Sequence, residues 1–260
     1  MQQSARSRAL ADLMEMAENQ DEQKLILELL GRFHFIDQDK AEKNFSAIRD
    51  QVITEWALAP QDTIILGSSD KNFSKSSDAM LYFLKPKFSG IQGWTQNLFL
   101  TNLRAATEVN KKTFNIVMVD DFIGTGNDIS RKINWLLGEL SQKGKIAKIY
   151  VCVLAAMEQS KSVLETLCTS YFVNTWLSRG ISDFYQAADL AQSIQMMKNL
   201  EDKLSPRIGN KKLKCYSFGY KQSEALYHYE NGNSPNNVFP LFWWEYQKPK
   251  LKRNPLFPRL

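Results

Sequence analysis

Residues 117–128 read VMVDDFIGTGND. Together with Asn115 and Ile116, the run Val117-Met118-Val119 makes a strand with both faces apolar, and the adjacent carboxylates Asp120 and Asp121 end it. Residues Asp120 to Asn127 then form a glycine-containing turn, beyond which Ile129, Ile133, Leu136, Leu137 and Leu140 recur at helical spacing. A two-sided apolar strand, a small-residue turn and an amphipathic helix make the repeating unit of a parallel α/β sheet. The same pattern appears on either side. Thr63 to Leu66 is a short β-branched run leading into Gly67-Ser68-Ser69-Asp70-Lys71, Ile149 to Ala156 is a near-continuous apolar strand, and Tyr171 to Trp176 supplies another after a helix from Ser162 to Cys168. The fold class expected is therefore α/β with a parallel sheet.

Working outward, the first sixty residues read as three amphipathic helices. They present Leu10, Leu13, Met14 and Ala17, then Leu25, Ile26, Leu29, Leu30 and Phe33, then Phe45, Ile48, Val52 and Trp56. Gly31 and the Asp37 to Asp39 cluster mark breaks, and Pro60 stops the third helix. A helix is expected from Ser76 or Ser77 through Leu84, whereas Lys85 to Asn110 carries no assignable pattern. In the last third, Leu190 to Leu204 reads as helix, Leu213 to Tyr220 and Glu224 to Glu230 as a strand pair, and 231–237 as a turn-rich loop. The tail from Phe239 holds Leu241, Phe242, Trp243, Trp244, Leu256 and Phe257, too much apolar surface for a solvated arm, so it is expected to be ordered. The expected organisation is a helical region over 1–60 and an α/β domain over 61–260 that includes a C-terminal β/aromatic extension.

Composition excludes several classes. With 260 residues, 43% hydrophobic and 23% charged, the chain is neither disordered nor repetitive. It has no run of about 18 apolar residues and no signal-peptide pattern, so a cytoplasmic protein without membrane contact is expected. Cys152, Cys168 and Cys215 lack CxxC spacing, which supports neither disulfides nor a zinc cluster. The net charge of +5 is uneven, with Lys211, Lys212 and Lys214, then Lys248, Lys250, Lys252 and Arg253, crowding the C-terminal part. Such clusters suit a solvated surface or a polyanionic partner.

The chemistry centres on the turn. Amides of Gly124, Thr125, Gly126, Asn127 and Asp128, with the helix N-terminus behind them, offer an anion site, and glycine lets backbone approach a phosphate. Asp120 and Asp121 at the strand end, the Asp121 side chain expected to point into solvent, can accept from ribose hydroxyls or orient a hydrated Mg²⁺. This segment resembles the diphosphoribosyl-binding motif of type I phosphoribosyltransferases: apolar strand, Asp-Asp, two apolar residues, then a Thr/Gly-rich turn. By the resemblance, Asp120 and Asp121 face ribose hydroxyls and metal as the catalytic pair, Thr125, Gly126 and Asn127 hold the 5′-phosphate, and Ser68, Ser69, Asp70 and Lys71 stand where the family carries its pyrophosphate loop. One departure is Asn127-Asp128, where many members have Gly-Thr or Gly-Ser. A carboxylate beside a phosphate is unfavourable, and capping of the following helix by Asp128 would remove the conflict.

The C-terminal stretch FGYKQSEALYHYENGNSPNNVFPLFWW, closing on NPLFPRL, is similar to phosphoribosyltransferase-like proteins of bacterial conflict systems, including retron-associated antiphage effectors. That resemblance implies a toxin-like effector acting at ribose C1 of a phosphoribosyl or nucleotide ligand with Mg²⁺. The competing reading is a non-catalytic nucleotide-sensing or RNA/protein-binding module in a complex with a reverse transcriptase and its RNA. Other features also stay open. Asn233, Asn236 and Asn237, with Asn231, could read a base or ribose, or could simply cap a hairpin. The loop from Ser68 to Lys71 could be an ordinary polar turn. Phe242, Trp243 and Trp244 could stack a base or pack the core.

Overall fold

A computed structural model describes residues 2–69, 76–230, 232–257 and 259. The chain forms two compact units, one of residues 37–176 and one of residues 1–36 with 177–260. Its elements begin with α1 (Gln2–Glu15), α2 (Gln20–Gly31) and the short strand β1 (His34–Ile36). They continue through α3 (Gln38–Asp50), β2 (Thr63–Ser69), α4 (Ser76–Leu84), β3 (Phe99–Asn102) and α5 (Leu103–Thr107). Then come β4 (Thr113–Ile123), α6 (Asn127–Gln142), β5 (Ile146–Met157), α7 (Lys161–Leu167) and β6 (Ser170–Leu177). The chain finishes with α8 (Ala187–Asp202), the two-residue strands β7 (Arg207–Ile208) and β8 (Lys211–Lys212), β9 (Tyr227–Tyr229), β10 (Tyr246–Gln247) and β11 (Leu251–Lys252). No helix among the described residues is long and apolar enough to cross a membrane.

Residues 37–176 are built on a five-stranded sheet in the order β3-β2-β4-β5-β6. β2 pairs in parallel with β3 and with β4, and β4 pairs in parallel with β5. The α/β class with a parallel sheet is therefore what the chain adopts. Alternate residues of β4 explain its place at the centre. Phe114, Ile116 and Met118 join Ile149, Val151 and Val153 of β5 and Ile129, Ile133, Leu136 and Leu140 of α6 in one buried cluster, which Leu103 and Ala106 of α5 and Leu164 of α7 complete. Burial of each such Leu or Ile contributes about 1.5–3 kcal/mol.

Two local features differ from expectation. β4 does not stop at Val119 but runs on to Ile123, because β5 continues to pair with it through Ile123↔Ala156. Between Lys85 and Asn110 lie a strand and a short helix that carry no periodic signal. Asn102 ends β3 and caps α5, its Oδ1 accepting the Ala105 N–H at 2.9 Å. α3 continues as a wider turn over Gln51–Glu55, so the helical segment ends ahead of Pro60. Its start is capped by Asp37, whose Oδ1 accepts from Lys40 N–H at 2.8 Å.

The other unit joins the two ends of the chain. β1 pairs in parallel with β9, matching His34 to Tyr227 and Ile36 to Tyr229. The expected strand pair between Leu213–Tyr220 and Glu224–Glu230 is therefore replaced: Leu213–Cys215 and Tyr220–Gln222 are single 3₁₀ turns, and Tyr227–Tyr229 finds its partner near the N-terminus. Among the described side chains of α1, Ala9 and Leu13 are buried, with Met16 just beyond, while Leu10 is outside.

The aromatic tail is core. Phe239, Leu241, Phe242, Trp243 and Trp244 are all buried. Each indole finds a buried acceptor, Trp243 Nε1 donating to Val238 O at 2.8 Å and Trp244 Nε1 to Ser205 O at 2.9 Å. Phe257 packs at a tilt against Phe33 and stacks on His228, at centroid distances of 4.6 and 4.4 Å. Of the basic cluster, Lys248, Lys250 and Lys252 are exposed, but Arg253 is only 4% exposed and donates from Nη2 to Leu241 O at 2.7 Å. Burial brings its pKa down to about 10. Trp244→Ala should cost about 3–5 kcal/mol by chemical denaturation, and a chain truncated before Phe239 should be insoluble. A truncated chain that stays soluble with an unchanged melting temperature would show the tail to be an appendage.

Candidate functional site

The strand order sets the location. From β2 the chain adds β3 on one side, then returns to place β4 on the other, so the direction of winding reverses between β2 and β4. In open parallel sheets the crevice outside the carboxyl ends at such a reversal is where ligands bind. The β2–β4 pairing ends at Gly67↔Val119. The next residues are Ser68 and Ser69 on β2 and Asp120 and Asp121 on β4, so the parallel register brings both expected loops to one end of the sheet. Asp70 and Lys71 lie outside the described residues.

The two carboxylates differ. Asp120 is half-buried, and its Oδ1 accepts the Asp121 backbone N–H at 2.9 Å. Asp121 is only 7% exposed, contrary to the expectation of a solvent-facing side chain. The continuation of β4 sets this: side chains inside a strand alternate between the two faces of the sheet, and Asp121 takes the opposite face from its half-buried neighbours Asp120 and Phe122. Burial, then the negative charge of Asp120, then hydrogen bonding with Asp120, push the Asp121 pKa well above the usual carboxylate range.

Past Ile123 the chain bends through Gly124, Thr125 and Gly126 into α6. Gly126 is the N-cap residue with φ of 80°, a left-handed conformation that favours glycine. It is also backed closely by α7, since a Cβ there would sit 3.0 Å from Val163 Cβ. No side-chain hydrogen bond from the N-cap residue closes α6, so its first-turn amides, which have no intrahelical acceptor, can take water or an external anion. Asp128 does not supply the cap expected of it. It lies one residue inside the helix and pairs along the helix surface, with Lys132 Nζ at 2.5 Å and Arg131 Nη2 at 2.9 Å. Burial works against its ionisation, but hydrogen bonding and charge from Lys132, then from Arg131, outweigh that and hold the carboxyl below its ordinary pKa.

The asparagine-bearing loop belongs to the other unit. Asn237 is buried, with Nδ2 donating to Ser223 Oγ at 3.0 Å and to Tyr220 O at 3.4 Å, while its carbonyl accepts from Ser223 Oγ at 2.9 Å. Its amide is thus spent on the fold and not held out to a base. Asn236 O accepts from Tyr220 N–H at 2.8 Å, and the Asn233 side chain is exposed. Phe242, Trp243 and Trp244 are buried and offer no stacking platform. The pattern-poor segment, by contrast, adds Thr101 and Arg104, exposed residues at the carboxyl end of β3 beside β2. Only the Asn102 cap could have flagged them.

The sequence model of the PRTase-CE family matches residues 15–259 of the chain. No curated protein matches it. Among solved structures it is similar to orotate phosphoribosyltransferase from Aeropyrum pernix, at 18% identity over 54% of this chain and 77% of that one, with a TM-score of 0.35. A hypothetical protein from Neisseria gonorrhoeae with bound ppGpp shares 13% identity over 63% and 96% of the two chains, TM-score 0.39. Orotate phosphoribosyltransferase from Mycobacterium tuberculosis in complex with inorganic phosphate shares 13% over 69% and 95%, TM-score 0.34.

The raised pKa of Asp121 gives a signed expectation. Its folded form binds a proton that the unfolded form has released above about pH 4, so its contribution to stability falls as pH climbs from there towards the raised folded value. Asp121→Asn removes that loss. Melting curves between pH 4 and 8 should show wild type losing stability relative to Asp121→Asn as pH rises, and a constant difference would place the carboxyl in water.

Proposed function

The chain belongs to the PRTase-CE family, and from that premise we propose that it binds a phosphoribosyl or nucleotide ligand where β2 and β4 end, acting at ribose C1. The observation that carries this reading is the meeting, at the winding reversal, of a carboxylate pair and an uncapped 16-residue helix. The amides of Gly124 to Asn127 receive the 5′-phosphate, with Thr125 adding a hydroxyl. Asp120, half-buried, faces the ribose hydroxyls, and Ser68 and Ser69 border a diphosphate. Such a site works by positioning and charge stabilisation and needs no side-chain nucleophile.

Mg²⁺ fits the donor set as a partly hydrated ion. No group of three or more metal-binding side chains exists among the described residues, so the protein offers the Asp120–Asp121 pair and leaves the other positions to water and ligand oxygens. The negative charge of Asp120, one of the causes that raise the Asp121 pKa, would be offset by a bound cation. When bound, the ion neutralises charge on a diphosphate.

In the cell we propose a cytoplasmic effector of a bacterial antiphage, retron-type system, a role that rests on the resemblance of the C-terminal stretch. The upward shift of the Asp121 pKa favours a second reading: the pair engages ribose hydroxyls without turnover, as a nucleotide sensor in a complex with a reverse transcriptase and its RNA. Calorimetry with phosphoribosyl diphosphate, ribose 5-phosphate and inorganic phosphate, with and without Mg²⁺, tests the site. Binding should be lost in Asp120→Asn, and wild-type protein that ignores all three ligands refutes the reading. Release of diphosphate or free base from a bound donor separates enzyme from sensor.

A further inference from the structure

We infer that Lys132 is a positioning residue that sets the affinity of the α6 N-terminus for phosphate, by drawing the Asp128 carboxylate along the helix and cancelling its charge. The inference rests on the phosphoribosyl reading of that turn. Asp128 stands in the first turn of α6, where a carboxylate is attracted by the helix amides and competes with an incoming phosphate for the same donors. What the structure shows instead is a carboxylate engaged by both cations of the next turn, with Lys132 Nζ on one oxygen and Arg131 Nη2 on the other.

The burial of the partners identifies which cation matters. The Arg131 side chain is 59% exposed and that of Asp128 63%, whereas that of Lys132 is 6% exposed. Exposed pairs are screened and worth little, and lysine is rarely buried this deeply unless paired. A buried ammonium therefore fixes the direction in which the exposed carboxylate turns. Counting the three side chains, one anion and two cations leave this stretch of helix net positive, so an acid is tolerated one residue after Asn127.

The opposing account is that the pair only supports the helix, in which case its removal changes stability and leaves affinity alone. Titration of inorganic phosphate and phosphoribosyl diphosphate into the full chain separates the two. Lys132→Met should weaken binding of both by about fivefold to tenfold at low salt, the loss shrinking as salt is raised. Asp128→Asn should bind at least as tightly as wild type, and the double variant Asp128→Asn/Lys132→Met should recover most of the loss, which no folding defect would do. Equal affinity in Lys132→Met and wild type, or a double variant as weak as the single, overturns the inference while leaving the phosphoribosyl site intact. A wild-type protein that binds neither ligand overturns both.

Discussion

Strand β4 is gripped on two sides as far as Val119 and on one side from there to Ile123, because β2 leaves it while β5 does not. That asymmetric pairing is the constraint from which the site follows. Where β2 lets go, the sheet opens a crevice. Where β5 holds on, the backbone stays extended long enough to carry two carboxylates past the end of the crevice and deliver the chain into the Gly124–Gly126 bend. A strand that ended with β2 would leave both acids on a loose turn, hydrated and without fixed direction. Held extended, they alternate, and one of them is driven into the protein.

Buried acids also occur away from the site. Glu201 on α8 is 3% exposed, and burial lifts its pKa to about 7 even though it accepts from Ser217 Oγ at 2.5 Å and Phe218 N–H at 3.0 Å. Glu224 is 4% exposed and accepts the backbone N–H groups of Ile181 and Ser182 at 2.8 and 2.7 Å. These two satisfy buried backbone donors that irregular segments leave without a ladder. Asp121 differs, because its neighbour is another carboxylate. Backbone hydrogen bonds at Asp121 and Phe122 favour its charge, but burial and the neighbouring carboxylate outweigh them.

Legibility followed periodicity. β4, β5 and α6 announce themselves, since two-sided burial and a helical stripe both write apolar residues at fixed intervals. β3 has four residues, Phe99 to Asn102, too few for any period to show. β9 was unreadable for another reason: its partner is β1, and nothing in Tyr227-His228-Tyr229 says that the pairing reaches back to His34. At the site, residue types were legible and orientations were not. Asp-Asp could be located from the string, but whether Asp121 faces water depends on how far β5 accompanies β4. Likewise Asp128 looked like a cap, and the pairing with Lys132 depended on a lysine that the sequence places on a helix without saying it is buried. The engagement of the Asn237 side chain by Ser223 and Tyr220 was equally unreadable, as was the close approach of Gly219, with φ of 77°, to the Asn237 backbone carbonyl, where a Cβ would lie 1.9 Å from the oxygen.

The parallel pairing of β1 with β9 joins residues about 190 positions apart, and it orders events during synthesis. When β1 leaves the ribosome its partner has not been made, so this segment must wait while the whole of 37–176 emerges. Closing so long a loop is entropically costly while the intervening chain is slack, and far less so once that chain has condensed into a sheet with short internal connections. Domains fold as units in the order they appear. The carboxylate pair and the bend into α6 belong to a unit whose residues have all emerged before the last third of the chain is made, so that unit can condense well before β1 meets β9.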